Sequence, residues 1–175
     1  MFSIRADSSQ LETGAAIVSA ESNLKKLGLV LPVAPSPSSS GYLLTVRRAG
    51  DLLFCAGHPP YAEDGSLITG VVPDDLDVEA ARKAARRVGL GLLATLRAEL
   101  GSLDRVRTVV KLLGMVNSAP GFTQQSDVIN GCSELFVEVF GAEIGRHARS
   151  AVGMNGLPVG LAVEIEAIVQ FNGEE

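Results

Sequence analysis

The run from Val106 to Val116, VRTVVKLLGMV, constrains this chain more than any other segment. It is mostly apolar and rich in Val, which suits a central strand covered on both faces. One face calls for helices of the same chain, and the other for further protein.

The helices are legible from their period. From Asp77 to Leu100 the residues Val78, Ala81, Ala85, Val88, Leu92, Leu96 and Leu100 recur three or four apart, with Asp77 placed to cap the start and Gly101 to end the last turn. A second stripe, Ile129, Cys132, Phe136 and Val139, predicts a helix over Ser126 to Phe140 that Gly141 stops. Gly89 and Gly91 read as points of close packing. A short helix is expected over Glu21 to Leu27, capped by Ser19 or Ser22 and closed by Gly28.

Strands fill the remainder. Tyr42 to Val46 and Leu52 to Ala56 flank turn material at residues 47–51 and predict a hairpin. Asp64 to Val72 reads as a short strand or ordered loop, and Pro32 to Gly41 as a Pro/Ser connector. Arg149 to Met154 and Leu161 to Phe171, joined by NGLPVG, predict a closing hairpin. The order is β-β, helix, strand, helix, β-β. It predicts an α+β sandwich, a mixed sheet with two helices packed on one face, whose other face meets another subunit.

Composition narrows the function. The 175 residues hold 46% hydrophobic and 20% charged side chains, as one soluble domain does. A net charge of -5 and the absence of Trp disfavour phosphate backbones and base stacking, so nucleic acid is an unlikely partner. The basic run Arg82, Lys83, Arg86, Arg87 reads as a solvated helix face. Cys55 and Cys132 have no metal-type spacing, and Cys132 lies on a core stripe. Arg5 and Asp7 interrupt any apolar leader, and no uncharged span crosses a membrane, so a cytoplasmic protein is expected. Residues 1–20 are expected to form a partly flexible extension and 172–175 a tail.

Candidate chemistry gathers near the C-terminus. In Val163 to Phe171 the odd positions are apolar, which sends Glu164 to the opposite face. A hairpin centred between Gly156 and Leu157 would set Arg149 across from Glu164. Such a pair is either a plain ion pair or a ligand site. In the second case Arg149 offers a donor fork to a substrate carboxylate and Glu164 holds or activates a water. His147, two residues before Arg149, and His58, directly after Gly57, are candidates for a base.

These residues resemble a known family. The stretch GRHARSAVGMNGLPVGLAVEIEAI, residues 145–168, is similar to the terminal signature of the Rid/YjgF proteins, the reactive-intermediate deaminases also labelled endoribonuclease L-PSP. GDLLFCAGHPP (50–60), LGSLDRVRTVVKLLGMVNS (100–118) and DVINGCSELFVEVFG (127–141) extend the resemblance across residues 21–171.

The resemblance implies a chorismate-mutase-like fold and a homotrimer with clefts at subunit interfaces. It implies hydrolysis of enamine and imine intermediates to 2-keto acids and ammonia, without metal or organic cofactor. Carried over, Arg149 binds the carboxylate and Glu164 orients water, while Gly57, Asn130, Ala151, Tyr42 and His58 line the ligand. Three positions depart from the pattern: Ala151 stands for Cys, Ala56 for Ser, and His58 for a Gln-like residue. Tyr42 matches only with an offset of one. The departures resemble a divergent subgroup, for which a non-catalytic metabolite-binding or sensor protein is the alternative reading. A ribonuclease or translation inhibitor is a third.

Overall fold

The computed structural model describes residues 19–34 and 41–173. Up to residue 18 the expected N-terminal extension lies outside the described residues, as do residues 35–40 of the connector and 174–175 of the tail.

Five strands form one mixed sheet. They are β1 (Val46–Ala49), β2 (Leu52–His58), β3 (Val106–Asn117), β4 (Ala148–Met154) and β5 (Val163–Phe171), in the spatial order β1-β2-β5-β3-β4. The helices are α1 (Ala20–Lys26), α2 (Val78–Leu100) and α3 (Gln125–Gly145).

Asp77 caps α2 through its carboxylate on the amide of Ala80, and Gly101 ends it in the left-handed region. The periodic residues of α2 are buried: Ala81, Ala85, Val88, Leu92 and Leu96 show no exposed surface. Against them lies α3, close enough that a Cβ on Gly131 would overlap the carbonyl of Arg82 and one on Gly89 would crowd Leu135. Glycine is therefore required for this helix spacing, and close packing accounts for Gly89. The helical geometry of α3 breaks at Gly141, with φ 79°, where the sequence predicts its stop.

The basic run is spent on neighbours. Arg82 and Arg86 of α2 reach Glu134 and Glu138 on α3, at 2.5 and 2.7 Å, while Arg87 pairs with Glu63 and Lys83 with Glu79. The four cations form a solvated, neutralised helix surface.

Two expectations about strands are corrected. The first turn consists of Gly50 and Asp51 alone, because Ala49 pairs with Leu52 and Gly50 takes a left-handed φ of 62°. Arg47, Arg48 and Ala49 are strand residues, and Tyr42 to Leu44 precede β1.

The closing hairpin does not exist. β4 pairs in parallel with β3, and β5 enters between β2 and β3, antiparallel to both. Burial explains the difference. Every odd position of β5 from Val163 to Phe171 is buried, which demands a central place, whereas β4 is exposed or half-buried and suits an edge. Residues 155–162 carry the chain past the end of β3, with Val159 at φ 50° and Gly160 at φ 75°. Their partners lie in the ordered loop before α2: the amide of Gly70 donates to Gly160 and that of Ala162 to Ile68.

α2 and α3 cover one sheet face. The other carries half-buried and exposed groups, including Phe54, Ile168, Glu164 and Glu166.

Candidate functional site

The new topology separates Arg149 from Glu164. Arg149 is level with Leu112 and Glu164 with Met115, so β3 and three register steps lie between them. They also face opposite sides. Arg149 reaches α3, whereas Glu164 shares the uncovered face with Glu166. The cross-strand placement of Arg149 opposite Glu164 expected from sequence is absent, and among the described residues no carboxylate lies within 4 Å of the Arg149 guanidinium.

On the uncovered face, Glu164 meets Gly57. β2 bulges between Cys55 and His58, so that the pairing with β5 slips by one residue around Ala56 and Gly57. The Glu164 side chain crosses the Cα of Gly57, where a Cβ would overlap its carboxylate. A bulge beside a glycine opens room for a carboxylate against the backbone. Burial raises the Glu164 pKa, since the charged form is poorly hydrated there, and the Glu166 carboxylate raises it further. Next to this place a groove of about 470 Å³ is lined by residues including Arg47, Ala56, Lys111 and Glu166.

On the helix side, Arg149 Nη1 donates to Asn130 Oδ1 at 2.8 Å and to Ser133 Oγ at 3.0 Å. Ser133 Oγ lies 3.0 Å from His147 Nε2, and His147 Nδ1 lies 2.7 Å from the Gly145 carbonyl oxygen. Burial lowers the His147 pKa, and the Arg149 charge acts in the same direction. Sequence reasoning missed Ser133. It stands about one helical turn after Asn130, beside the apolar stripe of α3.

His58 joins neither group. Its ring is 2% exposed, with Nδ1 2.7 Å from the Ala56 carbonyl oxygen and Nε2 2.8 Å from Thr95 Oγ1 on α2. Burial lowers its pKa and keeps it neutral, so its visible work is to tie the bulge to α2. Ala151 sits two residues beyond Arg149, level with Gly114, and packs against the core. Tyr42 is 96% exposed ahead of β1. Cys55 and Cys132 are buried thiols with pKa pushed up to about 12, chiefly by burial, which removes them as nucleophiles near neutral pH.

Among the described residues no three His, Cys, Asp or Glu side chains are placed to hold a metal ion, and no helix is long and apolar enough to cross a membrane.

Comparison with other proteins places this geometry in context. The profile of the family described as "YjgF/chorismate mutase-like, putative endoribonuclease" matches residues 21–165. Protein TCP17 of Trypanosoma cruzi is 45% identical over 150 residues, spanning 86% of this chain and 92% of that protein. The crystal structure of Atu1372 from Agrobacterium tumefaciens, a protein of unknown function, is 40% identical with a TM-score of 0.78, covering 88% of this chain and 94% of its own. A Shewanella oneidensis MR-1 structure bearing the same endoribonuclease label is 26% identical with a TM-score of 0.81, covering 87% of this chain and 99% of its own.

Proposed function

Because the chain belongs to the YjgF/chorismate mutase-like family, we propose that it binds small carboxylates in clefts between subunits and hydrolyses reactive imines and enamines to 2-keto acids and ammonia. One observation carries this reading. The Arg149 guanidinium is held by two neutral acceptors and has no carboxylate of its own chain within 4 Å among the described residues, so its charge is available to a ligand.

The opposed faces of Arg149 and Glu164 support assembly. One pocket holding both must take Arg149 from one copy and Glu164 from another. Exposed strand residues Phe54, Val152 and Met154 supply apolar surface for such contact. A closed ring of three copies, each lending one half to its neighbour, yields three equal pockets.

The chemistry needs few groups. Arg149 binds the carboxylate of a 2-imino acid, which fixes C2 next to Glu164. Glu164 takes a proton from water as the oxygen bonds to C2 of the protonated imine, giving a neutral carbinolamine. That proton passes to the amine nitrogen, and ammonia leaves as the C=O bond forms and Glu164 takes the hydroxyl proton. An enamine first accepts a proton at carbon from the Glu164 carboxylic acid, a form favoured by its raised pKa.

Ammonia release from an imine generated in situ by a pyridoxal-phosphate dehydratase tests the reading. The rate should exceed spontaneous hydrolysis, and no acceleration would refute turnover. Ala56 and Ala151 favour a second reading, since neither has a hydroxyl or thiol to assist proton transfer. In that case calorimetry detects carboxylate binding while ammonia release stays at background.

A further inference from the structure

Arg149 Nη1 has two hydrogens and two acceptors, Asn130 Oδ1 and Ser133 Oγ, which stand three residues apart on α3 and so share one helix face. The chain of donors beyond them runs in one direction. The Gly145 carbonyl only accepts, so the proton of the neutral His147 ring sits on Nδ1, and Nε2 becomes an acceptor. Ser133, which receives a hydrogen from Arg149, donates its own to His147 Nε2. Phe136 stands edge-on to the His147 ring at 6.4 Å, and burial favours the uncharged ring. Among the described residues, Arg149 is the charged group that acts on it.

With Nη1 saturated, the edge formed by Nε and Nη2 is left. Its N–H bonds run parallel and match the two oxygens of a carboxylate. Among the described residues no buried side-chain nitrogen or oxygen lacks a partner, so these two nitrogens reach solvent.

We propose that Ser133 and His147 are positioning residues that turn the Nε/Nη2 edge of Arg149 outward, so that the site selects a planar carboxylate over its neutral amide. This rests on the carboxylate-binding reading above. Ser133 and His147 do not touch the ligand; they fix the plane in which Arg149 meets it.

The test is calorimetric titration of pyruvate and pyruvamide into the full-length protein, beside thermal melts. In Ser133→Ala and His147→Leu, pyruvate affinity should fall about three- to tenfold, as for loss of one hydrogen bond, with pyruvamide binding unchanged. Ser133→Thr keeps the hydroxyl and should restore affinity. Nitrogen-15 spectra of the wild type should show His147 protonated at Nδ1, a result that needs no ligand. A ring protonated at Nε2 instead, or pyruvate affinity unchanged in both variants while the wild type binds, would overturn the positioning role alone. A wild type that binds no carboxylate would overturn the parent reading and this one with it.

Discussion

The Glu164 side chain lies across Gly57 at the bulge of β2, occupying the space that a side chain at position 57 would need. The obstructing atoms are the flexible end of Glu164, so Gly57→Ala should fold. The carboxylate would swing away from its place. Ammonia release should fall about a hundredfold, the cost typical of a misplacement near 1 Å, while the melting temperature moves little. Kinetics and melts on the same preparation check this, and unchanged turnover would dismiss the contact as incidental.

Arg149→Lys separates binding from stability. The ammonium keeps the charge but loses the planar edge, so 2-keto acid affinity should drop about tenfold. Folding should lose only about 1 to 2 kcal/mol through the bonds to Asn130 and Ser133, since no paired carboxylate is abandoned. Calorimetry and urea denaturation read the two quantities. A large stability loss at constant affinity would make Arg149 structural.

The raised pKa of Glu164 gives stability a pH dependence of definite sign. A carboxyl whose folded pKa exceeds its ordinary value of 4.5 stabilises the fold fully below that value, and the contribution disappears as pH rises through the folded pKa. As pH rises through the folded pKa, the wild type takes on a half-buried charge that Glu164→Gln lacks. Glu164→Gln should be the more stable protein at pH 8, with the advantage shrinking as pH falls toward 4.5. Denaturation curves at several pH values decide it.

Truncation should reveal a sharp boundary at Ser19. The Ser19 hydroxyl accepts from the amide of Ser22, and Ala20 is buried against the core. Removal of residues 1–18 should leave the melting temperature nearly unchanged, because their sequence has no core-forming period. Removal of residues 1–20 takes the cap with it and should cost about 1 kcal/mol.

Assembly has a direct reading. Light scattering at micromolar concentration should give three times the 18.2 kDa chain mass, and a monomer mass would defeat the shared pocket.

Local signals in the sequence were reliable where one element determines its own ends. The period and caps of α2, the stop at Gly141 and the run of β3 all lie where the residues predict. Strand order was not legible in that way. NGLPVG reads as a hairpin turn when seen alone, and only competition for burial sends β5 to the centre and β4 to the edge. The Arg149–Glu164 pairing failed for that reason, although the alternation of β5 gave the correct face for Glu164. Asn130 and Arg149 do meet, but the hydroxyl of Ser133 between Arg149 and His147 depends on how α3 docks on the sheet, which no local pattern encodes. His58 followed the same rule in reverse. Its place after Gly57 points to a cleft, and the bulge turns it inward to Thr95.

The central position of β5 also bears on how the protein is made. Without Val163–Phe171, the strands already synthesised form two separate pieces, β1 with β2 and β3 with β4, because β5 is the strand that joins them. A ribosome that has released everything up to Met154 has not yet produced a sheet. Until β5 emerges, the edges of β2 and β3 that it pairs with remain open to other proteins. A stop codon a few residues before Phe171 would accordingly be far more damaging than its distance from Arg149 indicates.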